Sequence, residues 1–246
     1  MEERKTIYGN VRIGNLEEIF SRTVEVMEIN AATCGDPFTI GLTGGSTPKA
    51  FYTWAVENEA ISKAVLEQAM WSVSDERVVP LDHPESNFGN ANRLLLTPLG
   101  VAEGRKLNWP MMLDPHSLAA MVERRWQDRF GYGHTFDLCF LGMGDDGHTA
   151  SIFPESPMMG AIAAGTLFAP VEVPEKGWRI SITPDGLAAC SKIVITVTGA
   201  AKAERLKAVL DGEPDQYPVQ LVSRFPEKVE WLVDTEAAKG LQASRL

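Results

Sequence analysis

Short apolar runs bounded by glycine-rich or charged turns recur along the chain, with longer amphipathic stretches between them. Residues 38–42, 136–141 and 192–197 read as buried β-strands, since near-continuous apolar runs of this length suit strands covered on both faces. Residues 71–74 and 178–183 alternate apolar and polar positions, the period of two expected of a strand. Residues 16–31, 115–130 and 200–210 read as helices with one apolar face. Shorter helices are expected at 49–56, with Pro48 suited to a first turn, and at 91–96. Strand-like and helix-like segments alternate throughout. That order predicts an α/β fold: a doubly wound, mostly parallel sheet with helices on both faces. Repeats, low-complexity tracts and linker-like stretches are absent from the sequence, so residues 1–246 read as one domain. The Pro- and Gly-containing segment 153–176 has room to carry a small excursion or lid near the site.

In an open α/β sheet, chemistry belongs at the carboxyl ends of the strands. The loop after the 136–141 strand is the richest such place. It runs Gly142-Met143-Gly144-Asp145-Asp146-Gly147-His148-Thr149-Ala150-Ser151-Ile152-Phe153-Pro154. Three glycines permit an unusual backbone path. A histidine set among acids in that path is a candidate catalytic base; a capped turn is the plainer alternative.

The strand at 38–42 runs into Thr43-Gly44-Gly45-Ser46-Thr47-Pro48 and then a helix. Strand, glycine-rich loop and helix outline a phosphate cradle. Backbone N–H groups, the hydroxyls of Thr43, Ser46 and Thr47, and the helix N-terminus all favour an anion. The loop has neither the Walker A nor the Gly-x-Gly-x-x-Gly pattern, which points to a small phosphate monoester rather than ATP or NAD. An ordinary cap by Ser46 or Thr47 is the alternative. A third polar cluster, Asp75-Glu76-Arg77, ends the 71–74 strand, with Ser86-Asn87 beyond it.

Charge narrows the partners. The net charge of −10 weighs against nucleic acid, whose binding needs Lys and Arg on phosphates. An anionic substrate then requires a local basic pocket, and Arg179 and Lys202 are candidates for it. Hydrophobic residues make up 44%, enough for a large core. No apolar run approaches the roughly 18 residues of a membrane span, and the first residues lack a secretory pattern. Three cysteines without metal-ligand spacing suit a reducing cytoplasm. His83, His116, His134 and His148 form no H-x-x-x-H pattern, so no metal and no cofactor is expected.

Taken together, Gly44 to Pro48, Asp75-Glu76-Arg77 with Val79-Pro80, Ser86-Asn87 and the 142–154 loop resemble the glucosamine-6-phosphate isomerase/6-phosphogluconolactonase family in order and separation. Ser46, Arg77 and Ala150-Ser151-Ile152-Phe153-Pro154 favour its lactonase branch. The resemblance implies a ribose-phosphate-isomerase- or glucosamine-6-phosphate-deaminase-like fold. It implies hydrolysis of 6-phospho-D-glucono-1,5-lactone to 6-phospho-D-gluconate, in the pentose phosphate or Entner-Doudoroff pathway. His148 would activate water and then protonate the leaving ring oxygen. Either Asp146 or Asp75 would orient its ring. Arg77 would stabilise the carbonyl oxygen, and Ser151 lacks the Gly-x-Ser-x-Gly setting of a nucleophile. Thr43, Gly44, Gly45, Ser46, Thr47, Asn87, Arg179 and Lys202 would hold the substrate, the Arg and Lys on its phosphate. The expected partner is that small sugar phosphate, with no nucleic acid and no membrane; a monomer is slightly favoured. Asp145 departs from the family, which often has proline there. Two other readings stay open: an amino-sugar-phosphate deaminase with Asp75 as base, and a catalytically silent sugar-phosphate sensor.

Overall fold

A computed structural model describes residues 1–111, 113–159 and 165–241. The chain opens with a hairpin, β1 (Glu2–Thr6) and β2 (Gly9–Gly14). Helix α1 (Leu16–Thr33) follows, started by a capping box in which Asn15 and Glu18 satisfy each other's backbone N–H groups. Then come β3 (Phe38–Leu42), α2 (Ser46–Glu57), α3 (Lys63–Gln68), β4 (Ala69–Val73) and β5 (Asp75–Arg77). Helix α4 (Asn87–Ala91) continues into a π turn, Asn92–Leu96, covering the helix expected at 91–96. Helix α5 (Pro115–Phe130) is capped by Asp114, with Pro115 in its first turn.

The second half adds β6 (Leu138–Gly142), β7 (Phe168–Val173), β8 (Gly177–Ile182), α6 (Pro184–Ala188), β9 (Lys192–Val197), α7 (Ala203–Leu210) and β10 (Val229–Asp234). Seven strands form one sheet in the order β1-β2-β10-β9-β6-β3-β4. All neighbours pair in parallel except β1 with β2. Strands β3, β4 and β6 are almost wholly buried, as strands covered on both faces are, and the polar Thr39 and Ser72 are buried with them. From β3 the chain steps outward to β4, then returns to the other side of β3 to lay down β6, β9 and β10. The order therefore reverses between β3 and β6, and a crevice opens at the carboxyl ends of those two strands.

Two expectations need correction. The strand expected at 178–183 does not join the parallel sheet. It is β8, the middle of a separate three-stranded antiparallel sheet, β5-β8-β7. The segment 153–176, read as able to carry an excursion or lid, supplies β7 of the same sheet at its end; its residues 160–164 lie outside the described residues. The cause is local. Residues 168–182 form a hairpin with a tight turn, where the Lys176 N–H donates to the Val173 carbonyl. Such a hairpin completes its own pairing without a crossover helix. The helix expected at 200–210 begins as a 3₁₀ turn, Ala200–Lys202.

The amino end of β6 is tied to β3 by Asp137, which accepts from the Thr39 N–H at 2.7 Å and the Thr39 hydroxyl at 2.8 Å. His134 Nε2 lies 3.5 Å from the same carboxylate. The hydrogen bond to Asp137 raises the His134 pKa against the opposing effect of burial. A histidine raised on folding stabilises fully below its unfolded value near 6.5, and that contribution disappears as pH rises through the raised one. His134→Gln is therefore expected to destabilise more at pH 6 than at pH 9. The difference should be on the order of 0.5 kcal/mol, since the pair is partly exposed. Urea unfolding of both proteins at the two pH values measures it. Equal losses at both would assign His134 a packing role only.

Candidate active site

A cleft of about 210 Å³ opens at the switch point, between the loops that follow β3 and β6. Thr43, Gly44 and Gly45 line it from the first loop; Gly142, Met143, Gly144, His148 and Ala150 line it from the second. The small antiparallel sheet supplies Asp75, Arg77 and Arg179, and Asn87 and Lys202 complete the wall.

The loop after β6 folds back on itself around His148. The Gly144 N–H donates to the His148 carbonyl at 2.8 Å, and the Thr149 hydroxyl to the Gly142 carbonyl at 2.9 Å. A Cβ at position 144 would overlap the His148 ring, so glycine is required there. Ala150, on the cleft wall, takes a positive φ of 47°, a conformation that non-glycine residues adopt at a cost. Within this loop His148 Nδ1 lies 2.6 Å from Asp146 Oδ1, which also accepts the His148 N–H at 3.0 Å. Burial alone would raise the Asp146 carboxyl, but these two contacts outweigh it and hold the carboxyl below its usual range. The His148 ring packs on Phe153, with centroids 4.4 Å apart.

Asp75 has other partners. Its carboxylate accepts the Ser151 hydroxyl at 2.6 Å and Asn87 Nδ2 at 3.3 Å. Of the two acids left open in the sequence, Asp146 is the one the fold sets on the imidazole. Ser151 in turn lies 3.4 Å from Arg179 Nη1, so Asp75, Ser151 and Arg179 form one chain of contacts.

Asp75 and Arg77 share one face of β5, and the intervening Glu76 points the other way, into the protein. Glu76 is buried and accepts from the N–H groups of Arg77, Asn87 and Phe88 and from the Ser86 hydroxyl. Burial nonetheless raises its pKa, the four hydrogen bonds opposing. These bonds fix where Arg77 and Asn87 stand. Asn87 approaches Gly44 so closely that a Cβ at position 44 would overlap its amide.

Arg77 and Arg179 lie directly opposite each other on β5 and β8. Like charges at such a position repel. Burial, and then Arg77, lower the pKa of the Arg179 guanidinium. The Nε atoms of both arginines are buried without a hydrogen-bond partner among the described residues. Leaving two such donors unpaired is costly. The Arg179 guanidinium also sits 5.4 Å from the Phe153 ring.

Gly45 is the N-cap of α2 and has a φ of 111°; it provides no side-chain cap, so the helix starts with free N–H groups beside the cleft. Neither Ser46 nor Thr47 caps the helix. Ser46 is exposed in the first turn, and the Thr47 hydroxyl pairs with that of Thr198 at 2.5 Å. Neither belongs to the cleft lining, although both were expected among the phosphate donors; Thr43, Gly44 and Gly45 do. Lys202 reaches the cleft from the turn after β9 and pairs with Asp145 at 2.5 Å.

Phe153, Ser151, Glu76 and Asp145 thus join the site or its immediate support without having been assigned a role from the sequence. The period of two in a strand was the available signal for Glu76. No group of three His, Cys, Asp or Glu side chains is placed to hold a metal among the described residues, and no helix there is long and apolar enough to cross a membrane.

Residues 16–231 match the family model described as glucosamine-6-phosphate isomerases/6-phosphogluconolactonase. The chain is 32% identical over 215 residues to a 6-phosphogluconolactonase of Synechocystis sp., covering 83% of this chain and 85% of the relative. The crystal structure of 6-phosphogluconolactonase from Leishmania guyanensis superposes with a TM-score of 0.79 at 25% identity, over 95% of this chain and 98% of that one. A monomeric glucosamine-6-phosphate deaminase shares the fold, with a TM-score of 0.77 at 18% identity over 93% of this chain and 98% of that one.

Proposed function

The chain belongs to the glucosamine-6-phosphate isomerase/6-phosphogluconolactonase family, and from that membership and its cleft we infer that it hydrolyses 6-phospho-D-glucono-1,5-lactone to 6-phospho-D-gluconate. The observation that carries this reading is an imidazole held through Nδ1 by Asp146, on the wall of a cleft that also presents Arg77, Arg179 and Lys202.

The geometry supports the following assignment of roles. Asp146 keeps the proton of His148 on Nδ1, leaving Nε2 as the ring nitrogen that can accept one. Nε2 takes a proton from water as the water attacks the lactone carbonyl. The imidazolium then returns the proton to the ring oxygen as the C–O bond breaks. Asp146, kept ionised, stabilises the imidazolium between the two steps. Arg77 meets the negative charge that grows on the carbonyl oxygen. Arg179, Lys202 and residues Thr43, Gly44 and Gly45 with the α2 N-terminus hold the phosphate, and Asn87 and Asp75 order the wall between. Ser151 is fully buried and does not belong to the cleft lining, so we take water as the nucleophile, with no acyl-enzyme.

The small sugar phosphate is the only partner this chemistry needs, and we place the enzyme, as a single domain, in the cytoplasm. Acid release from freshly made 6-phosphogluconolactone, compared with the spontaneous rate, tests the reaction. Turnover well above background is expected. Ammonia released from glucosamine 6-phosphate in its place would assign the deaminase reaction, and saturable binding without turnover a sensor.

A further inference from the structure

The proposed mechanism gives Asp145, in the loop that carries His148, no role. Asp145 stands on the rim of the cleft, and its side chain is 86% exposed. Its carboxylate nevertheless holds the Lys202 ammonium at 2.5 Å, and that contact lowers its pKa. Lys202 lines the cleft, so the pair puts an anion of the protein on a cation of the binding site.

Two features make this anion exchangeable. The Asp145 backbone is pinned independently of its side chain: its carbonyl accepts Arg205 Nε at 2.6 Å, and the Arg205 guanidinium lies 4.7 Å over the Tyr217 ring. The carboxylate can therefore leave Lys202 by rotating toward solvent while the loop that carries His148 stays in place. The pair is also weak, because exposed ion pairs contribute little net free energy.

We propose that Asp145 is an internal competitor for Lys202, loosening the grip of the cleft on the phosphate of substrate and product alike. The proposal rests on the reading of Lys202 as a phosphate ligand. A carboxylate and a dianionic phosphate on one ammonium would lie within a few ångströms and repel. Binding of the phosphate thus requires Asp145 to withdraw. Apparent affinity is reduced by the fraction of molecules in which Lys202 is already free. Hydrolysis leaves the phosphate untouched, so the product carries the same handle as the substrate. As the product departs, Asp145 takes over Lys202 and favours release, a step that limits turnover in many enzymes.

The test is calorimetric titration of 6-phosphogluconate into the wild type, Asp145→Asn, Lys202→Ala and the double variant, at fixed ionic strength and with thermal melts on each. Asp145→Asn keeps the size and the backbone carbonyl. It should tighten Kd by about two- to fivefold, the range set by an exposed ion pair. Lys202→Ala should weaken binding. On the Lys202→Ala background, Asp145→Asn should change Kd by less than about 1.5-fold, because the competition has lost its object. Unaltered binding in Lys202→Ala would remove Lys202 from the phosphate site, and the competitor with it. Weakened binding there, with no tightening in Asp145→Asn, would overturn the competitor alone. Equal tightening on both backgrounds would also overturn it, showing only the general field of a negative charge.

Discussion

His148→Ala is expected to lower kcat by roughly 10²–10⁴, the usual contribution of a positioned acid–base group, while the protein still folds. The ring is partly exposed, and its side-chain contacts are Asp146 and the face of Phe153, so its removal takes little from the core. The measurement is lactone hydrolysis corrected for the spontaneous rate, with a thermal melt on the same sample. A folded variant with wild-type turnover would take His148 out of the mechanism. Asp146→Asn should fail in a related way. The amide can turn its NH₂ toward Nδ1 and hold the other tautomer, leaving Nε2 protonated and unable to accept from water. A loss of at least about tenfold in kcat, with a smaller change in KM, would agree with that role.

The dyad was half legible in the sequence. A histidine among acids and glycines at a strand end marked His148, and the fold put it at the reversal of strand order between β3 and β6. Choosing Asp146 over Asp75 needed coordinates. Asp75 is the acid that lines the cleft, yet the curl of the 142–149 loop sets Asp146 against Nδ1. The middle of the parallel sheet was legible because β3, β6 and β9 are short apolar runs; its β1, β2 and β10 strands were not read from the sequence. The antiparallel sheet was not. Strand β5 has only three residues and reads as a charged turn until β8 pairs with it. The facing of Arg77 by Arg179 arises from that pairing, across about a hundred residues of chain, and no local pattern encodes it. Ser46 and Thr47 show the opposite error. Their hydroxyls suit a phosphate loop, yet Thr47 turns to Thr198, and what the loop offers the cleft is Thr43, two glycines and the start of α2.

Glucono-1,5-lactone, which lacks the phosphate, is expected to be a poorer substrate than the phosphorylated lactone by about 10²-fold or more in kcat/KM. Charge-assisted hydrogen bonds contribute roughly 1.5–3 kcal/mol each, and at least two are lost with the phosphate. Part of that binding positions the carbonyl beside His148, so kcat should fall as well as KM rise. Arg179→Ala and Lys202→Ala should each cripple hydrolysis of the phosphorylated lactone and barely change the residual rate on the other. Arg179→Lys should restore only part of the loss, since a point charge replaces a planar fork that lies over Phe153 and reaches Ser151. Arg77→Ala is the contrast. A guanidinium that meets the carbonyl oxygen acts on both lactones, so its removal should slow both by similar factors. The experiment is a two-substrate comparison across these variants at fixed salt. Equal losses on both lactones for Arg179→Ala would move that arginine from the phosphate to the reacting carbonyl. A loss confined to the phosphorylated lactone for Arg77→Ala would instead make the two facing arginines a single clamp on one phosphate, with the oxyanion left to the N–H groups of the glycine-rich loop.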